Sequence, residues 1–470
     1  MDSALLEVHP PSYGALPTTE KSLRSESGFI ARSSGPLIVT FVLQFLLETT
    51  TIFVSGRLGP DELAIVSLAL CSLNITALAF YQGMSTSLDT FCSQAFGAGK
   101  PLMVGVYFQR CSLMMLLVTV FPLMPVFWYS GSILKLLVPS ETLAMECQTF
   151  LRIMMFGTPG LLFFETGKRF FQAQHLFNAG TYALAVAVPI HFVLNWFLVL
   201  HPNTGLGLMG APIALSLSFW ISSLAMLVYA FFSNGKQCWG GFDIQKASTN
   251  WGPMLKLALP GVVMVEAEYL AFEVMTILAA SFGTTSLAAQ SIGSNVGAMV
   301  FQIPFAVSVA VTTRIGHFIG IPDTKAAVYI TRISLGLAAC MGLFNFIVLF
   351  MGRTALSRLY SDDANVITAA SKVLMLAATN QFCDCINIVS AGILRAQGRQ
   401  KVGSYLNLVS YYIIALPLGY VLAFVFDLEV YGLWMGLICG VFVLACGEIW
   451  CILRSNWDQI VVTCNSNHDS

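Results

Sequence analysis

The chain has 470 residues, 56% of them hydrophobic and only 10% charged, with a formal net charge of -1 and a mean hydropathy of +0.76. Soluble domains average about 25% charged residues, so a soluble globular domain is excluded and an all-α polytopic membrane protein is expected. The near-zero charge gives no basis for a nucleic-acid partner.

Residues 1–32 hold Pro10, Pro11, Pro17 and several Ser, Thr and Glu without an apolar run. They are expected to form a disordered cytosolic tail and not a signal peptide. Twelve apolar segments of spanning length follow, at roughly 34–56, 63–86, 105–128, 143–165, 180–200, 206–232, 254–281, 285–312, 326–350, 367–393, 402–425 and 430–453. The sizeable polar connection falls at the midpoint. The chain therefore divides into an N-lobe (33–232, segments 1–6), a linker (233–253), a C-lobe (254–454, segments 7–12) and a C-terminal tail (455–470).

Basic residues fix the orientation. Of the 23 Lys and Arg, only Arg57, Lys135, Arg152, Arg353, Arg358 and Lys372 fall on the side opposite the N-terminus. By the positive-inside rule both termini, and the linker with them, are cytosolic. The halves also resemble each other. Sliding the chain by 224 residues places Pro36 on Pro260, Gly59 on Gly283 and Leu63-Ala64 on Leu287-Ala288. Six helices per copy is an even number, so the copies face the same way, about a pseudo-twofold along the membrane normal. The substrate site is then expected between or within the lobes near mid-membrane.

Segment 7 carries Glu266, Glu268 and Glu273. A charge at the bilayer centre costs at least about 2.5 kcal/mol, so these acids either line a polar cavity or tether neighbouring helices. On an ideal helix Glu266 and Glu273 share a face and Glu268 projects to another. A secluded carboxylate that can hold either a proton or a cationic cargo, but not both, is the physical basis of antiport. Segment 10 sets Gln381, Asp384 and Asn387 on one stripe, and segment 8 offers Gln290, Ser294, Asn295 and Gln302. These seven and Tyr269 are candidates for cargo binding or for helix–helix hydrogen bonds. Glu48 heads a Thr-rich turn in segment 1. Asp89 and Glu165 sit near basic residues as structural ion pairs, and His191 with Asn195 reads as a satisfied packing pair. Most of the 35 Phe are ordinary packing residues, although flat cations are well received by aromatic walls. Twelve cysteines lack paired metal-ligand spacing; Cys383 and Cys385 beside Asp384 read as small buried residues. No phosphate-binding loop and no catalytic triad is present. The chain is therefore not expected to be an enzyme or to hold a metal or cofactor.

SLDTFCSQAFGAGK (87–100), LAAQSI (287–292), QIPFAVSVAVTTRIGHFIG (302–320) and GILRAQGRQKVG (392–403), with the LPG that opens segment 7, resemble the eukaryotic branch of the multidrug and toxic compound extrusion family. The resemblance covers about residues 30–455. It implies a two-lobe secondary antiporter that exports organic, mostly cationic compounds or metabolites in exchange for protons. The glutamate of the family's Glu-Trp-Trp motif falls on Glu268, the acid five residues on falls on Glu273, and the helix 10 acid falls on Asp384. These three are the expected proton-coupling residues. The two Trp are replaced by Tyr269 and Leu270, a helix 8 acid of animal members falls on Asn295, and the helix 1 aspartate of bacterial members falls on Thr50. Coupling is therefore expected in the C-lobe. Glu266 has no family counterpart and stays a candidate for substrate binding. The chain is expected to act as a monomer among membrane lipids, in the plasma or vacuolar membrane. A flippase for lipid-linked or other amphiphiles is the alternative reading; it would need a basic cavity.

Overall fold

The computed structural model describes residues 20–136, 140–202 and 204–469, and no strand occurs among them. The long helices are α1 (Glu20–Gly56), α2 (Pro60–Gly97), α3 (Pro101–Trp128), α4 (Glu141–Ala173), α5 (Asn178–Leu200) and α6 (Gly207–Phe232), then α7 (Trp251–Ala280), α8 (Thr284–Gly320), α9 (Thr324–Tyr360), α10 (Ala364–Ala396), α11 (Gln400–Val425) and α12 (Glu429–Leu453). Eleven helices among the described residues are long and apolar enough to cross a membrane. The twelfth, α7, has 30 residues, about 45 Å at 1.5 Å each, and differs from them in crowding Glu266, Glu268 and Glu273 into its middle. A short α13 (Trp457–Asp469) closes the chain, with Val461 and Cys464 packed among Ile315, Ile393 and Ile452.

The architecture is the expected pair of six-helix lobes, with two boundary differences. Residues 20–32 are not a tail but the first turns of α1: Ile30 is buried and the Glu26 carboxylate pairs with Arg314 of α8. Enough apolar and ionic contact exists there to offset the ordering of the chain. Residues 1–19, the rest of the expected tail, lie outside the described residues. At the C-lobe boundary, Met254 and Ala258 of α7 pack in the N-lobe core, and Ala267, Ala271, Met275 and Ala279 pack in the C-lobe core. The linker, for its part, is held to α3. Gln109 donates to the Gly241 carbonyl and accepts from the Asp243 amide, and Cys238 is buried in the N-lobe core.

The lobes meet mainly through α2, against α7 and α8. Glycines allow that approach. A Cβ on Gly261 would lie 2.6 Å from the Gly83 carbonyl, and one on Gly97 would collide with the carbonyl of His317. Hydrogen-bonded ties between the lobes gather at the ends of the even-numbered helices, the side on which α1 begins and α12 ends. Thr90 Oγ1 donates to the Arg395 carbonyl (2.6 Å), Gln94 Nε2 to the Ala396 carbonyl (2.9 Å), and Gln400 Nε2 to Thr90 Oγ1 (2.8 Å). Glu26 and Arg314 add a two-pronged ion pair there.

Candidate functional site

A cavity of about 350 Å³ lies between the lobes. Its wall is built from single stripes of several helices, each repeating every three or four residues as a helix face requires. From the N-lobe come Phe41, Gln44, Phe45 and Glu48 of α1, Asn74, Leu78, Gln82 and Thr86 of α2, and Arg169 of α4. The C-lobe contributes more: Met264, Glu268, Tyr269, Phe272 and Glu273 of α7, Phe301 and Phe305 of α8, and Asn380, Gln381, Asp384, Asn387 and Arg395 of α10, with Asn407 and Trp434.

Local sequence explains why these groups point inward. Asn74 sits in a wide π-type turn, Asn74–Leu78, the kind of helix irregularity often found at functional sites. Its Nδ2 donates to Glu48 Oε2 at 2.9 Å. The α10 stripe starts from a helix capped by Asp363. On it Asn387 Nδ2 donates to Asp384 Oδ1 at 3.2 Å, and Gln381 Nε2 reaches the Gly297 carbonyl at 3.5 Å. Glu268 faces Asp384 and Arg395 electrostatically. Glu273 reaches Cys71 of the N-lobe. The wall holds four carboxylates against two guanidiniums. Of the latter, Arg169 is held by Asp89 (3.1 Å) and Arg395 donates to Ser308 Oγ (3.0 Å). Acid charge therefore exceeds free basic charge, between aromatic faces.

Glu268, Glu273, Asp384, Tyr269, Gln381 and Asn387 thus share one cavity. Three other candidates do not line it. Glu266 is half-buried on another part of α7, so the acids that share the cavity are Glu268 and Glu273, not the ideal-helix pair Glu266 and Glu273. A cavity wide enough to take residues 264, 265, 268, 269, 272 and 273 covers nearly half the helix circumference, so it admits acids some 140° apart. Asn295 is exposed on the outer face of α8, and its side chain donates to its own helix at Ser291. Gln290 is fully buried behind the wall, where its Oε1 accepts from Trp434 Nε1 at 2.7 Å. It bonds a cavity residue and does not itself line the cavity.

The residues read as structural each have partners of that kind. Lys168 Nζ bridges Glu165 and Gln44, each at 2.8 Å, and His191 bonds Ser218, Asn195 and Leu47. Sequence reasoning gave no role to Glu48, Asn74, Asn380 and Arg395. Asn380 continues the Gln381/Asp384/Asn387 stripe, and Arg395 lies within GILRAQG, so both carried a signal. Asn74 carried none, because its turn arises from packing.

The MatE family model matches the chain twice, over residues 36–197 and 260–421. The two matches stand 224 residues apart, the same shift that superposes Pro36 on Pro260. The uncharacterized transporter YDR338C of Saccharomyces cerevisiae is 38% identical over 94% of this chain, which spans 63% of that relative's length. Protein DETOXIFICATION 41 of Arabidopsis thaliana is 32% identical over 93% of this chain and 86% of its own. Among solved structures, the eukaryotic MATE transporter AtDTX14 superposes with a TM-score of 0.89 at 24% identity, covering 95% of this chain and 99% of that one.

Proposed function

The chain belongs to the MatE family of membrane transporters, and from that premise we propose that it exports organic cations in exchange for protons, by alternating access of the cavity between the lobes. It is a transporter of small molecules and not an enzyme. The observation that carries the finer reading is the wall itself: Glu48, Glu268, Glu273 and Asp384 with Tyr269, Phe272, Phe301 and Phe305 around them. Carboxylates removed from bulk water are stabilised by a cation, by a proton or by neither in full, and aromatic faces add cation–π attraction. Entering protons neutralise Glu268, Glu273 and Asp384 and release the cargo. Cargo reloads when they ionise.

Both termini face the cytosol in this reading, so the ties at Thr90, Gln94 and Glu26 close the cytosolic side and the cavity belongs to an outward-directed state. The protein works as a monomer in the plasma or vacuolar membrane. A flippase for phosphate-bearing amphiphiles is disfavoured by a wall in which four carboxylates outnumber two guanidiniums, one of them, Arg169, paired with Asp89. The test is efflux of a fluorescent organic cation from liposomes containing the full chain under an imposed pH gradient. Glu268→Gln and Asp384→Asn should each abolish the response to the gradient. Gradient-driven flux at the wild-type rate in both variants would overturn the proposal.

A further inference from the structure

On α12, outside the cavity wall, Glu448 is fully buried, and neither of its carboxyl oxygens has a hydrogen-bond partner. The charged and titratable groups that face it are Arg395 and Asp384 of α10, Glu268 of α7 and the Tyr411 phenol of α11. Arg395 is itself 6% exposed, lines the cavity, and bonds Ser308 through one terminal nitrogen, while its Nε is buried and unpartnered. Opposite charges therefore lie on neighbouring helices, each incompletely satisfied, one of them behind the cavity wall and the other in it. Nothing in the packing of a helix core demands an acid at position 448. An unpaired buried carboxylate costs several kcal/mol on general grounds.

We propose that Glu448 is a further proton-carrying residue of the transport cycle, acting on the cavity through Arg395. With the proton on Glu448, the Arg395 guanidinium is shared with the cavity acids Glu268 and Asp384 and competes with a cationic cargo. When the proton leaves Glu448 Oε for water, the carboxylate takes the guanidinium, and Glu268 and Asp384 are left to bind the cation. Buried charge is conserved: one positive charge enters the lobe as cargo and one leaves as a proton. For this further proton, unlike those on Glu268, Glu273 and Asp384, cargo and proton sit on different carboxylates. Arg395 is then a positioning residue and Glu448 a coupling residue remote from the cargo. The inference rests on the proton-exchange reading above, but its test separates the two.

Infrared difference spectra of the full chain in lipid bilayers, taken across a pH titration, read the carbonyl band of protonated carboxyl groups without any cargo. Glu448→Gln should remove one component of that band. Glu448→Asp should keep it at a displaced frequency, and Arg395→Gln should displace its midpoint by at least one pH unit. These last two variants also serve where Glu448→Gln folds poorly. A wild-type band set in Glu448→Gln, together with losses in Glu268→Gln and Asp384→Asn, would overturn this inference and leave proton exchange standing. Loss of a component in Glu448→Gln, with Glu268→Gln and Asp384→Asn unchanged, would support Glu448 and move coupling away from the cavity acids. A spectrum free of titrating carboxyl bands in every variant would overturn both.

Discussion

Glu26→Gln isolates a contact that closes the side on which α1 begins. Arg314 Nε donates to one Glu26 oxygen at 2.9 Å and Nη2 to the other at 2.7 Å, and the side chains are 6% and 4% exposed. The Phe29 and Phe318 rings each lie 4.5 Å from the guanidinium, so little water can replace a lost carboxylate. Breaking a buried pair by removing one partner costs about 3–5 kcal/mol. The penalty applies where α1 and α8 are docked and is relieved when they part. At about 1.4 kcal/mol per decade, even the lower figure lowers the closed-to-open ratio roughly a hundredfold. Hydrogen exchange of the protein in lipid nanodiscs reads that ratio at the backbone. Amides of residues 26–34 and 310–320 should exchange about two decades faster in Glu26→Gln, with little change in α5 and α9. The double replacement Glu26→Leu with Arg314→Met removes both charges and should restore protection, because apolar substitutes for a buried pair are often neutral or stabilising. Exchange in Glu26→Gln within threefold of wild type would refute the assignment of this pair as an interlobe clamp.

Four further outcomes follow from the same geometry. His175 stands in the turn between α4 and α5, 5.0 Å from the His317 ring and beside Arg314; burial, then His317 and Arg314, push its pKa down to about 3. A histidine depressed below its ordinary value of about 6.5 contributes stability above that value and loses it as pH falls towards about 3. This histidine should cost about 2 kcal/mol of stability between pH 7 and pH 5, seen as a lower melting temperature at pH 5, and His175→Asn should remove its share of that dependence. Gly261→Ala forces α7 away from the Gly83 carbonyl; overpacking of this kind costs about 1–3 kcal/mol and should lower the melting temperature by several degrees. Asn295→Ala faces outward and should leave transport within twofold of wild type. Gln290→Leu, by contrast, strips Trp434 of its acceptor and should weaken cation binding measured by quenching of tryptophan fluorescence.

Spans and duplication were legible because they depend on apolarity summed along the chain and on a fixed shift. The cavity residues were only half legible. Periodicity relates residues on one helix to each other, but which arc of that helix faces the cavity is decided by neighbours far away in sequence. Glu268 and Glu273 line the wall and Glu266 does not, although ideal geometry puts Glu266 and Glu273 on one face. Asn295 fails for the same reason: α8 turns its 294/297/301 stripe inward and leaves 295 outside. Glu448 was invisible because a lone glutamate near the end of a span resembles an interfacial residue until α10 and α7 are packed against it. The early start of α1 was hidden by composition, since a polar segment is held there by one buried ion pair with a residue 288 positions away.

Glu273 touches Cys71 of the N-lobe, but the clamp of Thr90, Gln94 and Glu26 is made by other residues than the cavity acids, so protonation of Glu268 or Asp384 has no direct hold on it. Arg395 is where the clamp and those acids meet. Its backbone carbonyl accepts the Thr90 hydroxyl across the interface, and its side chain lines the cavity beside Glu268. The next residue, Ala396, takes Gln94 in the same way. A guanidinium drawn towards Glu448 or towards the cavity acids pulls on the last turn of α10, the turn whose carbonyls hold the N-lobe. Thr90→Val removes the donor while keeping the shape. It should therefore loosen closure and, at the same time, blunt the dependence of cation binding on pH. A variant that loosens closure with an unaltered pH profile would show that the latch and the charge are separate devices.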